Sequence, residues 1–185
     1  MSNNIQQQTT INIQEKANLI WAIADKLVGV YKPHEYGNVI LPMCVIKRFE
    51  DTLAPTKQAV LDTNAKLDKD GIVVKKGFLE TAAGQQLYNL SPFTFQSLLN
   101  DPENIKENFE SYLNHFSENV IDIIHRMDFD RELQKMADNN VLYLVIKEFC
   151  TSKAYLGADL VTSVDMGYIF EELVRKFSES YDEQA

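Results

Sequence analysis

Leu19-Ile20-Trp21-Ala22-Ile23-Ala24-Asp25-Lys26-Leu27-Val28 is followed by Tyr36-Gly37-Asn38-Val39-Ile40-Leu41-Pro42-Met43-Cys44-Val45-Ile46-Lys47-Arg48-Phe49, and these two stretches decide the fold class. In the first, Leu19, Ile20, Ile23, Ala24, Leu27 and Val28 recur at spacings of three and four, the single apolar stripe of a helix. Asn12 with Glu15 three residues later makes a capping-box pattern, which predicts the helix start there. Gly29 and Pro33 are expected to close it. Trp21 falls off the centre of the stripe and is expected at a boundary with a neighbouring helix. The second stretch predicts a helix from about His34 to Leu53. Its apolar face (Tyr36, Val39, Ile40, Met43, Cys44, Ile46, Phe49) is wide, as in a central helix touched on several sides. Pro42 is expected to kink this helix or split it. Lys47, Arg48, Glu50 and Asp51 give its end a charged face. Glu50-Asp51, like Glu171-Glu172, is an adjacent pair that points apart on a helix, so a solvated face is favoured over an acid–base couple.

Working outward, residues 56–69 are polar and helix-prone, and Asp70-Gly71 is a turn signal. Ile72-Val73-Val74 is the one β candidate, at most a short hairpin near 71–78. Gly84, Asn89, Ser91 and Pro92 mark a looped middle. Asp101-Pro102 opens a helix carrying Ile105, Phe109, Tyr112, Leu113, Phe116, Val120, Ile123 and Ile124, expected to run to about Arg126. A shorter helix spans 128–138. Asn140 caps Val141-Leu142-Tyr143-Leu144-Val145-Ile146, a run compatible with a strand but flanked so as to favour a buried helix ending at Phe149. Ser163 or Asp165 is expected to cap a last helix with Met166, Ile169, Phe170, Leu173, Val174 and Phe177. No internal repeat, low-complexity tract or heptad pattern occurs. The expected architecture is all-α, a single bundle of about six to eight helices. A flexible stretch 1–14 precedes the helical domain at 15–178, and 179–185 begins a linker. Ile20, Leu27, Val39, Ile40, Ile46, Leu113, Phe116, Leu144 and Phe170 are the expected core.

At 185 residues, with 45% apolar and 24% charged residues, the chain suits one soluble globular domain with a sizeable core. The polar start Met1–Thr10 has neither the basic nor the apolar part of an export signal, and no run approaches the roughly 18 apolar residues of a membrane span. A cytoplasmic protein is expected. In that setting Cys44 and Cys150 read as buried free thiols rather than a disulfide, and Asn89-Leu90-Ser91 as a chance glycosylation sequon. The net charge of −9 is uneven: residues 1–100 hold 10 basic and 9 acidic side chains, residues 101–185 hold 8 and 18. Binding to bare DNA is driven largely by phosphate neutralisation, so a chain this acidic should bind duplex DNA poorly by itself. Any contact with phosphates falls to the near-neutral first half.

The residues offer no catalytic constellation. A nucleotide or S-adenosylmethionine site needs a Gly-rich turn between strand and helix, and the seven glycines are scattered with no Gly-x-Gly. His34, His115 and His125 are isolated, the latter two apart on one expected helix, so no metal site is expected. Cys44 has no histidine nearby in sequence and an apolar setting, an inert core thiol. Lys47, Arg48, Lys75 and Lys76 remain as candidate contacts to DNA phosphates; the alternative is ordinary solvated lysines and arginine.

Three blocks resemble one family. Leu19–Leu27, with Tyr36-Gly37-Asn38-Val39-Ile40-Leu41-Pro42-Met43 and Ile46-Lys47-Arg48-Phe49, is similar to the opening of the methylase (M) subunits of type I restriction–modification enzymes. There a Trp-bearing helix ends in Asp-x-Leu-Arg-Gly and a Tyr-x-x-Val-x-Leu helix ends in Leu-Lys-Arg; here Val28-Gly29 stands in place of Arg-Gly. Tyr88-Asn89, Ser97–Pro102, Phe116–Val120 and Met127–Asp130 look like a larger branch of that family. Asn140–Val145 and Asp165–Phe177 form the most specific block. The resemblance covers about residue 15 to 185.

The resemblance implies a methyltransferase domain after residue 185, with S-adenosylmethionine as cofactor and the exocyclic amino group of adenine, flipped out of the duplex, as target. It also implies a specificity (S) subunit, a second M subunit and, in some assemblies, an endonuclease subunit as partners. None of the catalytic motifs lies in this chain, so its implied role is architectural: assembly and enclosure of DNA. The alternative is a free-standing acidic helical protein–protein interaction domain, distinguished by what the gene encodes after residue 185.

Overall fold

The computed structural model describes residues 2–182, with side chains from 12 to 179. Among them there is no strand, and ten α-helices joined by short 3-10 turns form the all-α bundle expected from the periodicity. α1 spans Ser2–Ala22 and passes into a 3-10 turn, Ile23–Leu27. The helix is already formed ten residues before Asn12, so the Asn12/Glu15 pattern lies inside it and does not start it. Gln6, Gln7 and Gln8 are good helix formers, which is compatible with that early start. α2 (Tyr36–Leu53) continues through Pro42 without a break. Proline removes one backbone donor, but Val39, Ile40, Met43, Cys44 and Ile46 are all fully buried, and packing on several sides holds the helix together. α2 meets α1, α8 and α10, the central position its wide apolar face predicts.

α3 (Lys57–Lys69) and α4 (Lys76–Ala83) pack as a helical hairpin. The expected β-hairpin near 71–78 is absent: residues 72–75 form no strand, and from Lys76 the chain is helical. Ile72 donates its N–H to the Leu67 carbonyl (2.9 Å), closing the end of α3 through Gly71, whose φ of +71° favours glycine. That turn leads straight into α4 and leaves no second arm for a strand to pair with.

α5 (Phe95–Leu98) is a single turn capped by Thr94, whose hydroxyl accepts the Ser97 N–H. The long helix expected over 101–126 is two helices, α6 (Ile105–Asn114) and α7 (Glu118–Arg126). The break lies where the middle loop crosses. Leu90 N–H donates to the His115 carbonyl and Ser117 N–H to the Tyr88 carbonyl, both at 2.9 Å. These bonds take backbone groups that a continuous helix would need. His115 and His125 therefore sit on different segments.

α8 (Phe129–Asp138) and α9 (Leu142–Phe149) follow, the latter a helix and not a strand. Leu142, Val145, Ile146 and Phe149 point inward at helical spacing, which leaves Leu144 40% exposed, contrary to expectation. α10 (Ser163–Asp182) is capped by Thr162 rather than Ser163 or Asp165: its hydroxyl accepts the Asp165 N–H and its own N–H meets the Asp165 carboxylate. α10 reaches into the stretch expected to begin a linker; Met1 and residues 183–185 lie outside the described residues.

The core is continuous. Ile20, Leu27, Val39, Ile40, Ile46, Leu113 and Phe116 are buried as expected, and Phe170 is half-buried at the flank of the α10 stripe formed by Met166, Ile169 and Leu173. Phe95, Phe109, Tyr112 and Phe129 interlock at its centre with ring centroids 5.8–6.4 Å apart. Trp21 packs on Phe177 at 4.9 Å, the α1–α10 boundary its off-stripe position predicts.

Candidate functional site

The charged end of α2 does not face solvent. Glu50 and Asp51 are 7% and 8% exposed, which overturns the expectation of a solvated acidic face. Their carboxylates point apart, as adjacent helical residues must, but each points into protein. The Glu50 carboxylate accepts the Phe95 N–H (2.5 Å) at the start of α5. The Asp51 carboxylate accepts the Leu156 N–H (2.8 Å) and the Lys47 ammonium one turn earlier. Arg48 donates to the carbonyls of Leu156 (2.7 Å) and Val161 (2.5 Å). From α1, Lys16 donates to the Tyr155 carbonyl at 2.8 Å. α2 thus holds the 153–161 segment through its end charges, and that segment leads into α10.

Burial dominates the electrostatics. It pushes the Glu50 carboxyl up, opposed by the Phe95 N–H and Lys57. Burial lowers Lys57, whose ammonium meets the Phe93 carbonyl and lies 5.2 Å from the Tyr112 ring centroid. Tyr112, fully buried beside Glu50, has its phenol pushed well above the ordinary range, by burial first. The Asp159 carboxylate accepts the Tyr155 hydroxyl and pushes it up to about 12. A Cβ at Gly157 would fall 1.9 Å from that hydroxyl oxygen, so the ring can lie there only over glycine.

A cleft of about 250 Å³ opens beside this network, lined by Lys47, Glu50, Asp51, Phe95, Cys150 and Tyr155. Burial raises the Cys150 thiol to about 11 and the Cys44 thiol to about 12, so both are protonated at neutral pH and poor nucleophiles. Both cysteines are free, Cys44 buried and Cys150 partly so. No group of three His, Cys, Asp or Glu side chains able to hold a metal occurs among the described residues. The network's evident work is to fix loops to α2.

The four cationic residues singled out in the sequence fall into two places. Lys47 (side chain 6% exposed) and Arg48 are engaged internally, as above. Lys75 and Lys76 lie at the tip of the α3–α4 hairpin. Lys75 is held by Asn64 (2.9 Å) and Asp68; Lys76 is 79% exposed, its nearest carboxylate being Glu80 at 3.9 Å. A groove of about 510 Å³ runs beside them, walled by Val74, Tyr88, Glu118 and Asp122. Sequence reasoning missed the inward roles of Lys16 and Lys57, which depend on segments far away in the chain. The Lys47–Asp51 pair was legible, being four residues apart on one helix.

No curated protein and no solved structure matches the chain. Among the described residues no helix is long and apolar enough to cross a membrane. A family model, described as the HsdM N-terminal domain, matches residues 16–149, from the second half of α1 to the last residue of α9. That span takes in most of the chain and the whole network around α2 except its 153–161 partner, and on it the chain belongs to the family of N-terminal domains of type I restriction–modification M subunits.

Proposed function

We propose that the chain serves assembly and DNA enclosure in a type I restriction–modification DNA adenine methylase and performs no catalysis itself. The observation that carries this reading is family membership across residues 16–149. The partners are the specificity subunit, a second M subunit and, where present, an endonuclease subunit, in the cytoplasm. S-adenosylmethionine is assigned on this reading to a separate methyltransferase domain, since the described residues hold no strand-to-helix glycine turn of the kind that seats it. The acidic second half, with 18 acidic against 8 basic side chains, suits protein faces better than phosphates.

Contact with DNA is then a weak, added one. Bound partner subunits raise the local concentration of the duplex, so a contact too weak to act alone still contributes to affinity. Its candidates are Lys76, exposed at the hairpin tip, and Lys75, which would have to leave Asn64 and Asp68 to reach a phosphate; Lys47 and Arg48 would act through the stability of the α2 network. In the assembled enzyme, Lys75→Ala with Lys76→Ala is expected to weaken binding about equally on cognate and unrelated DNA. The salt dependence of binding should flatten by roughly one unit of slope per lost phosphate contact. An unchanged slope would remove the tip from the DNA interface, and a loss confined to cognate DNA would mean base reading.

A further inference from the structure

The groove beside the α3–α4 tip carries two carboxylates that nothing in the chain neutralises. Glu118 and Asp122 line it from α7, exposed and one helical turn apart. Neither makes a hydrogen bond or ion pair among the described residues. The groove's cations and amide are answered within the chain: Lys75 by Asn64 and Asp68, Lys76 by Glu80, and Asn119 by the Gln86 carbonyl at 2.8 Å. Glu118 is the first residue of α7, where the helix dipole favours a negative charge. Asp122 gains no such support, and like charges at this spacing disfavour the helix. Half-buried Tyr88 adds an aromatic wall, and Val74 an apolar lip with Val73 beside it, 82% and 88% exposed.

We propose that this groove receives an arginine of a partner protein, carried on a segment with apolar side chains on either side of it. A guanidinium is planar, offers its donors in a fork that suits carboxylates, and stacks on aromatic rings. Glu118 and Asp122 supply the acceptors and Tyr88 the ring. The flanking apolar side chains would cover Val73 and Val74, which a free cation would leave in water. A phosphate entering the groove would meet two unpaired carboxylates, so nucleic acid does not fit it. The net charge of −9 steers a basic partner in the same sense. That the partner is another subunit of the same enzyme rests on the assembly role proposed above; the groove's chemistry does not.

The test uses the full chain and fluorescence anisotropy of a labelled hexapeptide of alternating leucine and arginine. The comparison peptide carries citrulline in place of arginine, which keeps the shape and removes the charge. Wild type is expected to bind the arginine peptide about fivefold more tightly than the citrulline one. Glu118→Gln/Asp122→Asn changes two exposed side chains, should melt like wild type, and should lose about that fivefold preference. Val74→Ser should weaken binding of both peptides about threefold, from the lost apolar area. Glu103→Gln/Asp138→Asn removes two charges from another acidic groove of the chain and should bind as wild type does. Equal binding of the two peptides, wild-type behaviour of the Glu118/Asp122 variant, or an equal loss in the Glu103/Asp138 variant would overturn the proposal. So would the absence of peptide binding, including the case of a wild-type dimer that Val74→Ser dissociates, which would make the occupant a second copy. In the assembled enzyme the Glu118/Asp122 variant reads the assembly role separately. Peptide affinity lost with subunit affinity kept would uphold the groove and put its partner outside the enzyme.

Discussion

Ile40→Ala is expected to destabilise the chain by about 2–5 kcal/mol and to lower its melting temperature by roughly 5–15 °C. Ile40 has no exposed surface and lies on α2, which meets α1, α8 and α10. Truncation removes the transfer energy of the lost methylenes and leaves a cavity. Walls supplied by several helices cannot all move in to fill it, so the cost should fall toward the upper part of that range. The matched comparison is Leu144→Ala on α9. Leu144 is 40% exposed, solvent already covers part of it, and the melting temperature should move far less. Thermal denaturation followed by circular dichroism reads both. An unchanged curve for Ile40→Ala would mean that α2 is not the central helix.

Asp51→Ala is expected to cost about 3–5 kcal/mol in chemical denaturation, because it breaks a buried ion pair from one side. The Lys47 ammonium, on a side chain 6% exposed, would lose its counter-charge, and the Leu156 N–H would lose its acceptor. Asp51→Asn keeps an acceptor for Leu156 but not the charge, and should fall between wild type and alanine. Glu172→Ala on α10 is the contrast. Its partner Arg175 is 51% exposed, solvent and salt screen the pair, and the midpoint should hardly move. A small effect for Asp51→Ala would show that the α2 charges do not hold the loop.

What the sequence made legible follows from the range over which each cause acts. Helix class, the central position of α2 and the inward stripes depend on spacings of three and four residues, and these could be read directly. Leu144 was placed in the core because six apolar residues in a row hide their own periodicity; the helix face is chosen by α9's neighbours. Ile72-Val73-Val74 has strand-forming residues, but a strand needs a partner, and the turn at Gly71 delivers the chain into α4 instead. The division between α6 and α7 depends on Tyr88–Leu90, more than twenty residues upstream, taking backbone groups at His115 and Ser117. Glu50 and Asp51 point apart as neighbouring helical residues must. Their burial was illegible because Phe95 and Leu156, which receive them, are 45 and 105 residues away. For the candidate site, the lysine pair 75–76 could be picked out by charge alone. That Lys47 and Arg48 turn inward could not, since the carbonyls binding Arg48 belong to a loop more than a hundred residues on.

On the proposed function, this domain serves the architecture of a methylase and leaves the chemistry to another domain. Isothermal titration of the isolated chain with S-adenosylmethionine tests it most directly. The all-helical fold holds no strand-to-helix glycine turn among its described residues, so no heat of binding is expected up to millimolar ligand. Saturable binding with a dissociation constant in the micromolar range would contradict an architectural role, because the chain would then hold the methyl donor itself.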